Sequence, residues 1–123
     1  MSPSNRVLVV DDDEPIRTLL TKLLEQQNLS VDTARDGSEA IRRLDSDRYR
    51  LVLLDLMMPK VDGWAVLRHM SRHYPENLQR TIIASALPAE EISRQLTDEV
   101  FRVHRKPFDV TQLIADIRTC VAA

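Results

Sequence analysis

The stretch Val7-Leu8-Val9-Val10-Asp11-Asp12-Asp13-Glu14 decides the fold. An uninterrupted apolar run of this length makes a strand buried on both faces, as in the middle of a parallel sheet. A second run, Leu51-Val52-Leu53-Leu54, ends in the same way on Asp55. In open parallel sheets the ligand site lies just beyond the carboxyl ends of the strands. Two strands that stop on aspartate therefore gather carboxylates at one edge. Such a cluster repels itself, and a divalent cation is the usual remedy.

Outward from these runs, short apolar segments alternate with amphipathic ones. After the first strand, Pro15 suits the first turn of a helix, with Ile16, Leu19, Leu20, Leu23 and Leu24 at helical spacing. A weaker strand is predicted over residues 29–34, and Asp36-Gly37-Ser38 starts a helix carrying Ala40, Ile41 and Leu44. The third strand is 51–54. Pro59 and Gly63 then bracket a loop before a helix with Val66, Leu67 and Met70. Residues 82–84 form the fourth strand, and a short helix with Ile92 and Leu96 follows Pro88. Residues 101–105 form the fifth strand, and 109 to about 121 the last helix, with Leu113, Ile114, Ile117 and Val121 inward. Five such alternations predict an α/β fold, a doubly wound parallel sheet with helices on both faces.

The bulk properties exclude several classes. A length of 123 residues predicts a single domain over 1–123. A net charge of -2 gives no reason to expect affinity for nucleic acid or an anionic membrane. No apolar run is long enough to span a bilayer, the opening Met-Ser-Pro-Ser-Asn-Arg lacks a signal-peptide core, and the expected compartment is the cytoplasm. Cys120 is the one cysteine, so no internal disulfide forms and a buried, inert thiol is expected. With two glycines, the chain has no glycine-rich phosphate loop, which argues against a nucleotide-binding enzyme.

Two further strand ends carry chemistry: Ser85-Ala86 places a hydroxyl beside the carboxylates, and Lys106-Pro107-Phe108 an ammonium. Carboxylate oxygens favour a hard cation such as Mg²⁺. That cation and Lys106 would neutralise a transferring phosphoryl group, leaving Asp55 as nucleophile, with Ser85 hydrogen-bonding the product. Other residues have structural readings. Asp13 and Glu14 suit a helix start, and Asp62-Gly63 a turn and cap. Trp64 and the Met57-Met58 pair read as packing. Arg42, Arg43, Arg48 and Arg50 read as a solvated face. His69, His73 and His104, without metal-ligand spacing or a partner cysteine, read as surface residues.

Taken together, the four motifs resemble those of the response-regulator receiver domain over nearly the whole chain. Residues 7–17 resemble that family's first strand, acidic pair and helix entry, and residues 51–63 its phosphoacceptor segment. Ser85-Ala86 and Lys106-Pro107-Phe108 match its hydroxyl and lysine motifs. The resemblance implies a flavodoxin-like (βα)5 sheet in the order 2-1-3-4-5. Asp55 would accept a phosphoryl group from a phosphohistidine of a sensor histidine kinase or histidine phosphotransfer protein. Asp12, Asp55 and the Met57 carbonyl would bind Mg²⁺ directly, and Asp11 largely through water. Lys106 would hold a phosphoryl oxygen, Ser85 would swing toward the group, and Ala86 would leave room for the donor. The domain would modify itself without being a turnover enzyme. The first helix, through Ile16, Thr18, Leu19 and Leu20, would meet the kinase. The fourth helix, fifth strand and fifth helix would meet an output partner or domain, absent from the chain, in a monomer or a phosphorylation-dependent dimer.

The chain also departs from the family pattern. Val103 stands where a switch aromatic is usual, and Thr97-Asp98-Glu99 where Gly-Ala is common. Arg102, His104 and Arg105 make the fifth strand polar, which predicts an edge strand whose side chains reach solvent or a partner. Met57 and Leu87, at the positions that tune hydrolysis, cannot orient water, so a long-lived phosphoaspartate is expected. Two rival readings remain at this point. In a haloacid-dehalogenase-type phosphatase Asp11 would be the nucleophile and Asp13 the acid/base. In a receiver-like interaction module phosphate would play no part.

Overall fold

The computed structural model describes residues 5–122. Residues 1–4 and 123, which carry most of the opening read above for a signal peptide and the end of the chain, lie outside the described residues. The order is β1 (Arg6–Val10), α1 (Glu14–Glu25), β2 (Ser30–Ala34), α2 (Gly37–Ser46), β3 (Leu51–Leu54), α3 (Gly63–His73), a 3-10 turn (Pro75–Arg80), β4 (Thr81–Ser85), α4 (Ala89–Gln95), β5 (Arg102–Arg105) and α5 (Val110–Ala122). All strand pairs are parallel, and the sheet runs β2-β1-β3-β4-β5. The expected fold and strand order are both present.

Strand alternation divides the core in two. Val7, Val9, Leu51, Leu53 and Ile82 face α1 and α5, meeting Leu20, Leu24, Leu113 and Ile117. Leu8, Val10, Val52, Leu54 and Ile83 face α2, α3 and α4, meeting Leu44, Leu67, Met70 and Ile92. Because both faces of β1 and β3 are covered, every apolar residue of the two runs is buried. That is why those runs show no polar alternation. Cys120 is buried on the α5 side, and desolvation raises its thiol pKa, which keeps it inert.

The helix starts are set by local chemistry. Asp13, Asp36 and Asp62 each cap a helix, accepting from the backbone N–H of Ile16, Glu39 and Ala65 at 3.1, 2.9 and 3.0 Å. The roles read for Asp13 and for Asp62-Gly63 are thus observed. Asp62→Ala is expected to cost about 1 kcal/mol of stability, read as a lower urea midpoint at unchanged slope.

Four details differ from the sequence reading. The 3-10 turn was not anticipated, since its six residues are too short and polar to show a period. It is held by the Thr81 hydroxyl, which donates to the Asn77 carbonyl at 2.7 Å. Arg50 does not lie on a solvated face: its Nη1 donates to the Val121 carbonyl at 3.0 Å, reaching the last turn of α5. Of the methionine pair only Met58 packs; Met57 is 55% exposed. His104 is also not a surface residue. β5 is an edge strand and Arg102, Val103 and Arg105 are exposed, but the His104 ring turns inward and lies 2.8 Å from buried Asp116 of α5. A buried carboxylate on the core face of α5 requires such a partner.

Candidate functional site

Asp11, Asp55 and Lys106 each sit one step past a strand, held there by a backbone bond to the neighbouring strand, and Ser85 is the last residue of β4. The Asp11 N–H donates to the Ala34 carbonyl (3.1 Å), the Asp55 N–H to Val10 (2.9 Å) and the Lys106 N–H to Ser85 (2.8 Å). Sheet pairing thus extends beyond the strand ends and brings these side chains to one edge. The Lys106–Pro107 peptide bond is cis.

Asp11 is the best-anchored member. Its Oδ1 accepts from the Asp13 N–H at 2.9 Å, and its Oδ2 from Lys106 Nζ at 2.6 Å. Its carbonyl accepts from Arg17 Nη1 at 2.7 Å. Asp55 Oδ1 accepts from the Met57 N–H at 3.2 Å, and Oδ2 lies 3.6 Å from Lys106 Nζ. Asp12 is exposed beside them, and ligand oxygens of Asp11, Asp12 and Asp55 lie within 4.8 Å of one another. Ser85 is buried at the adjacent strand end. Its Oγ accepts from the Leu87 N–H at 3.2 Å. Ala86, next along, is exposed.

The electrostatics follow from burial and like charge. Burial and then the Asp11 charge push the Asp55 carboxyl up to about 6, with Lys106 and the Met57 N–H pulling the other way. Burial alone would lower the Lys106 pKa, but the Asp11 hydrogen bond and the Asp55 charge outweigh it, and the ammonium is raised. Lys106 stays charged, and the Asp55 carboxyl is ionised above about pH 6.

Arg17 escaped the sequence reading. A signal existed: it is a cation in the first turn of α1, where the helix dipole disfavours positive charge. A residue so placed has a partner elsewhere, here the Asp11 carbonyl. Trp64 is partly buried against the core, as expected. With Leu56, Met57, Met58 and Leu87 it lines an open groove of about 400 Å³ beside the site.

A doubly wound parallel sheet with acidic residues after β1 and β3, a hydroxyl at the end of β4 and a lysine after β5 defines a phosphoacceptor α/β domain. The chain belongs to the response regulator receiver domain family, whose profile it matches over residues 7–118. It is 35% identical to the response regulator MprA of Mycolicibacterium vanbaalenii over 113 residues, covering 92% of this chain and 48% of that protein. It is 36% identical to the transcriptional regulatory protein CpxR of Escherichia coli over 116 residues, covering 93% of this chain and 48% of that protein. The chain thus spans about half the length of these relatives. It is also similar to the solved structure of the response regulator protein TrrA of Thermotoga maritima in complex with Mg(2+)-BeF. That likeness has a TM-score of 0.80 at 28% identity and covers 94% of this chain and 97% of the other. Among the described residues no helix is long and apolar enough to cross a membrane.

Proposed function

We propose that Asp55 takes a phosphoryl group from a phosphohistidine of a sensor histidine kinase or histidine phosphotransfer protein, in a Mg²⁺-dependent reaction. The observation that carries this reading is the convergence of Asp11, Asp12 and Asp55 with Lys106 at one sheet edge. Three ionised carboxylates and one ammonium leave two uncompensated negative charges, which a divalent cation bound through oxygen would balance. Asp12, Asp55 and the Met57 carbonyl would hold Mg²⁺, with Asp11 acting largely through water. Bound there, the ion supplies positive charge toward the phosphoryl oxygens. TrrA, seen with Mg(2+)-BeF, supports extending this chemistry to the present chain.

The chain's own residues do the rest. An Asp55 oxygen attacks phosphorus as the histidine N–P bond breaks, and the imidazole leaves with the electron pair. Lys106 is already within 3.6 Å of that carboxylate and neutralises the charge brought by the phosphoryl group. Ser85 exchanges the Leu87 N–H for a phosphoryl oxygen, and the small side chain of Ala86 lets the donor approach. The domain passes its state to a partner or output domain through α4, β5 and α5 and is not a turnover enzyme. It works in the cytoplasm, as a monomer or a phosphorylation-dependent dimer.

Intact mass after incubation with acetyl phosphate tests the reading. One added phosphoryl group is expected in the wild type with Mg²⁺, and none with EDTA or in Asp55→Asn. A gain that persists in Asp55→Asn would move the nucleophile to Asp11. No gain in the wild type, with acetyl phosphate or with a phosphorylated histidine donor, would make the domain a phosphate-independent module.

The lifetime of the product is a separate prediction. Met57 and Leu87 flank the pocket, and neither side chain can hydrogen-bond and orient an attacking water. The phosphoaspartate is expected to outlast free acetyl phosphate in the same buffer, followed by the decay of the phosphorylated mass. Decay as fast as acetyl phosphate itself would remove any role for these two residues.

A further inference from the structure

The far end of α3 holds a second constellation of donors. His69 and His73 stand one turn apart, and their ring centroids are 4.6 Å from each other. Residues four apart share a helix face, the spacing by which helical histidine pairs bind metal. His69 Nε2 lies 2.8 Å from Asp45 Oδ1 on α2. The same oxygen accepts from the Tyr74 hydroxyl at 2.6 Å. These two hydrogen bonds, Tyr74's first, hold the Asp45 carboxyl below its ordinary range. A carboxylate on a merely solvated face would have no need of two fixed partners. His73 is exposed, as read from the sequence, while His69 is half-buried against Asp45.

We propose that His69, His73 and Asp45 form a site for a transition-metal dication such as Zn²⁺, separate from the acidic pocket. Two imidazoles and one carboxylate suit Zn²⁺, Ni²⁺ or Cu²⁺ and do not suit Mg²⁺. The length of α3 sets this site roughly 15 Å from the phosphoacceptor. The donors are near one another without being closed. Among the described residues only Asp11, Asp12 and Asp55 already bring their ligand atoms within 4.8 Å. Closure here takes a rotation of His73, an exposed side chain at the last position of α3. It also takes a small opening of the His69–Asp45 contact, since two ligands of a tetrahedral zinc stand roughly 3.3 Å apart. Exposed side chains change rotamer in picoseconds to nanoseconds, so the rotation of His73 is not a barrier. The Tyr74 hydroxyl would continue to aim the carboxylate. Asp45 and Tyr74 also line an open polar groove of about 360 Å³ with Asp47, Glu76 and Arg80. Bound metal would tie the end of α2 to the end of α3.

Calorimetric titration of Zn²⁺ into the chain, in excess Mg²⁺ to occupy the acidic pocket, tests the proposal. One Zn²⁺ per chain is expected, with a higher melting temperature and with the His69 and His73 ring resonances shifting while those of His104 do not. His73→Gln, an exposed substitution whose unchanged metal-free melting temperature verifies folding, should weaken binding about tenfold or more. Tyr74→Phe should weaken it by about tenfold, and Asp55→Asn should leave it unchanged. Absence of saturable Zn²⁺ binding overturns the proposal. So does binding that ignores His73→Gln and disappears in Asp55→Asn, which would assign the ion to the acidic pocket.

Discussion

Asp55→Asn is expected to be more stable than the wild type at pH 7.5 without divalent cations, while losing all phosphoryl uptake. The carboxyl is pushed up to about 6 in the folded protein, chiefly by burial and then by the Asp11 charge. Folded chains therefore bind more protons at this site than unfolded ones between about pH 4 and about pH 6. The contribution of Asp55 to stability is fully present below the unfolded pKa and is lost as pH rises through about 6. Above that pH the ionised carboxylate costs on the order of 2–3 kcal/mol. An isosteric amide removes the charge and keeps the shape. The melting temperature should rise by roughly 10 °C at pH 7.5, and the gain should shrink toward zero near pH 4. Other carboxylates titrate in the same window, so the quantity to follow is the wild-type minus variant difference. A difference that is flat with pH would mean that Lys106 fully compensates Asp55. Mg²⁺ should restore the wild type toward the variant, because ligand that binds only the folded state stabilises it.

Gly63→Ala should be the most damaging small substitution near the site. The N–H of Gly63 donates to the Leu56 carbonyl at 3.1 Å, drawing the start of α3 against the end of β3. A Cβ at position 63 would lie 2.2 Å from the Asp55 carbonyl oxygen and 2.6 Å from the Leu56 Cα. Both obstacles are backbone within the sheet edge and cannot swing aside as a side chain would. Either α3 retreats, losing contacts of Val66 and Leu67 with the core, or the Asp55 peptide moves. A cost of about 3 kcal/mol or more is expected, read as a lower urea midpoint. Phosphoryl uptake by the surviving folded fraction should also slow, since the displaced backbone belongs to Asp55, the proposed phosphoacceptor. Gly37→Ala is the control. Its Cβ would meet the Val61 carbonyl oxygen at 2.4 Å, but Val61 lies in the β3–α3 loop. That substitution should destabilise while leaving uptake per folded molecule closer to wild type.

Much of this site was legible in the chain. Asp11, Asp12, Asp55 and Ser85 stand out because buried parallel strands are apolar and the polar residue that ends them marks the edge, whereas Lys106, after the polar β5, is legible from the Lys106-Pro107-Phe108 motif. The helix caps were legible because Asp13, Asp36 and Asp62 act on N–H groups three residues away. Local patterns carry such information whatever the rest of the fold does. The misread residues have partners distant in sequence. His104 was read as exposed because a polar edge strand hides which face each side chain takes, and its partner Asp116 belongs to the following helix. Arg50 was assigned to a solvated face because the Val121 carbonyl that receives it lies 71 residues on.

The amino-acid sequence by itself determined the order of strands and helices, the two-sided core and which five side chains reach the phosphoacceptor edge. These follow from the period of apolar residues, from short-range capping and, for Lys106 after its polar strand, from the Lys106-Pro107-Phe108 motif. Only the tertiary structure decided how the charges pair there. Lys106 lies 95 residues from Asp11 yet bonds it at 2.6 Å, and stands farther, at 3.6 Å, from Asp55. The tertiary structure likewise raised the Asp55 carboxyl, by burying it beside Asp11, and set His69 against Asp45. Pairing and desolvation depend on which distant groups share one small volume, and chain closure sets that volume.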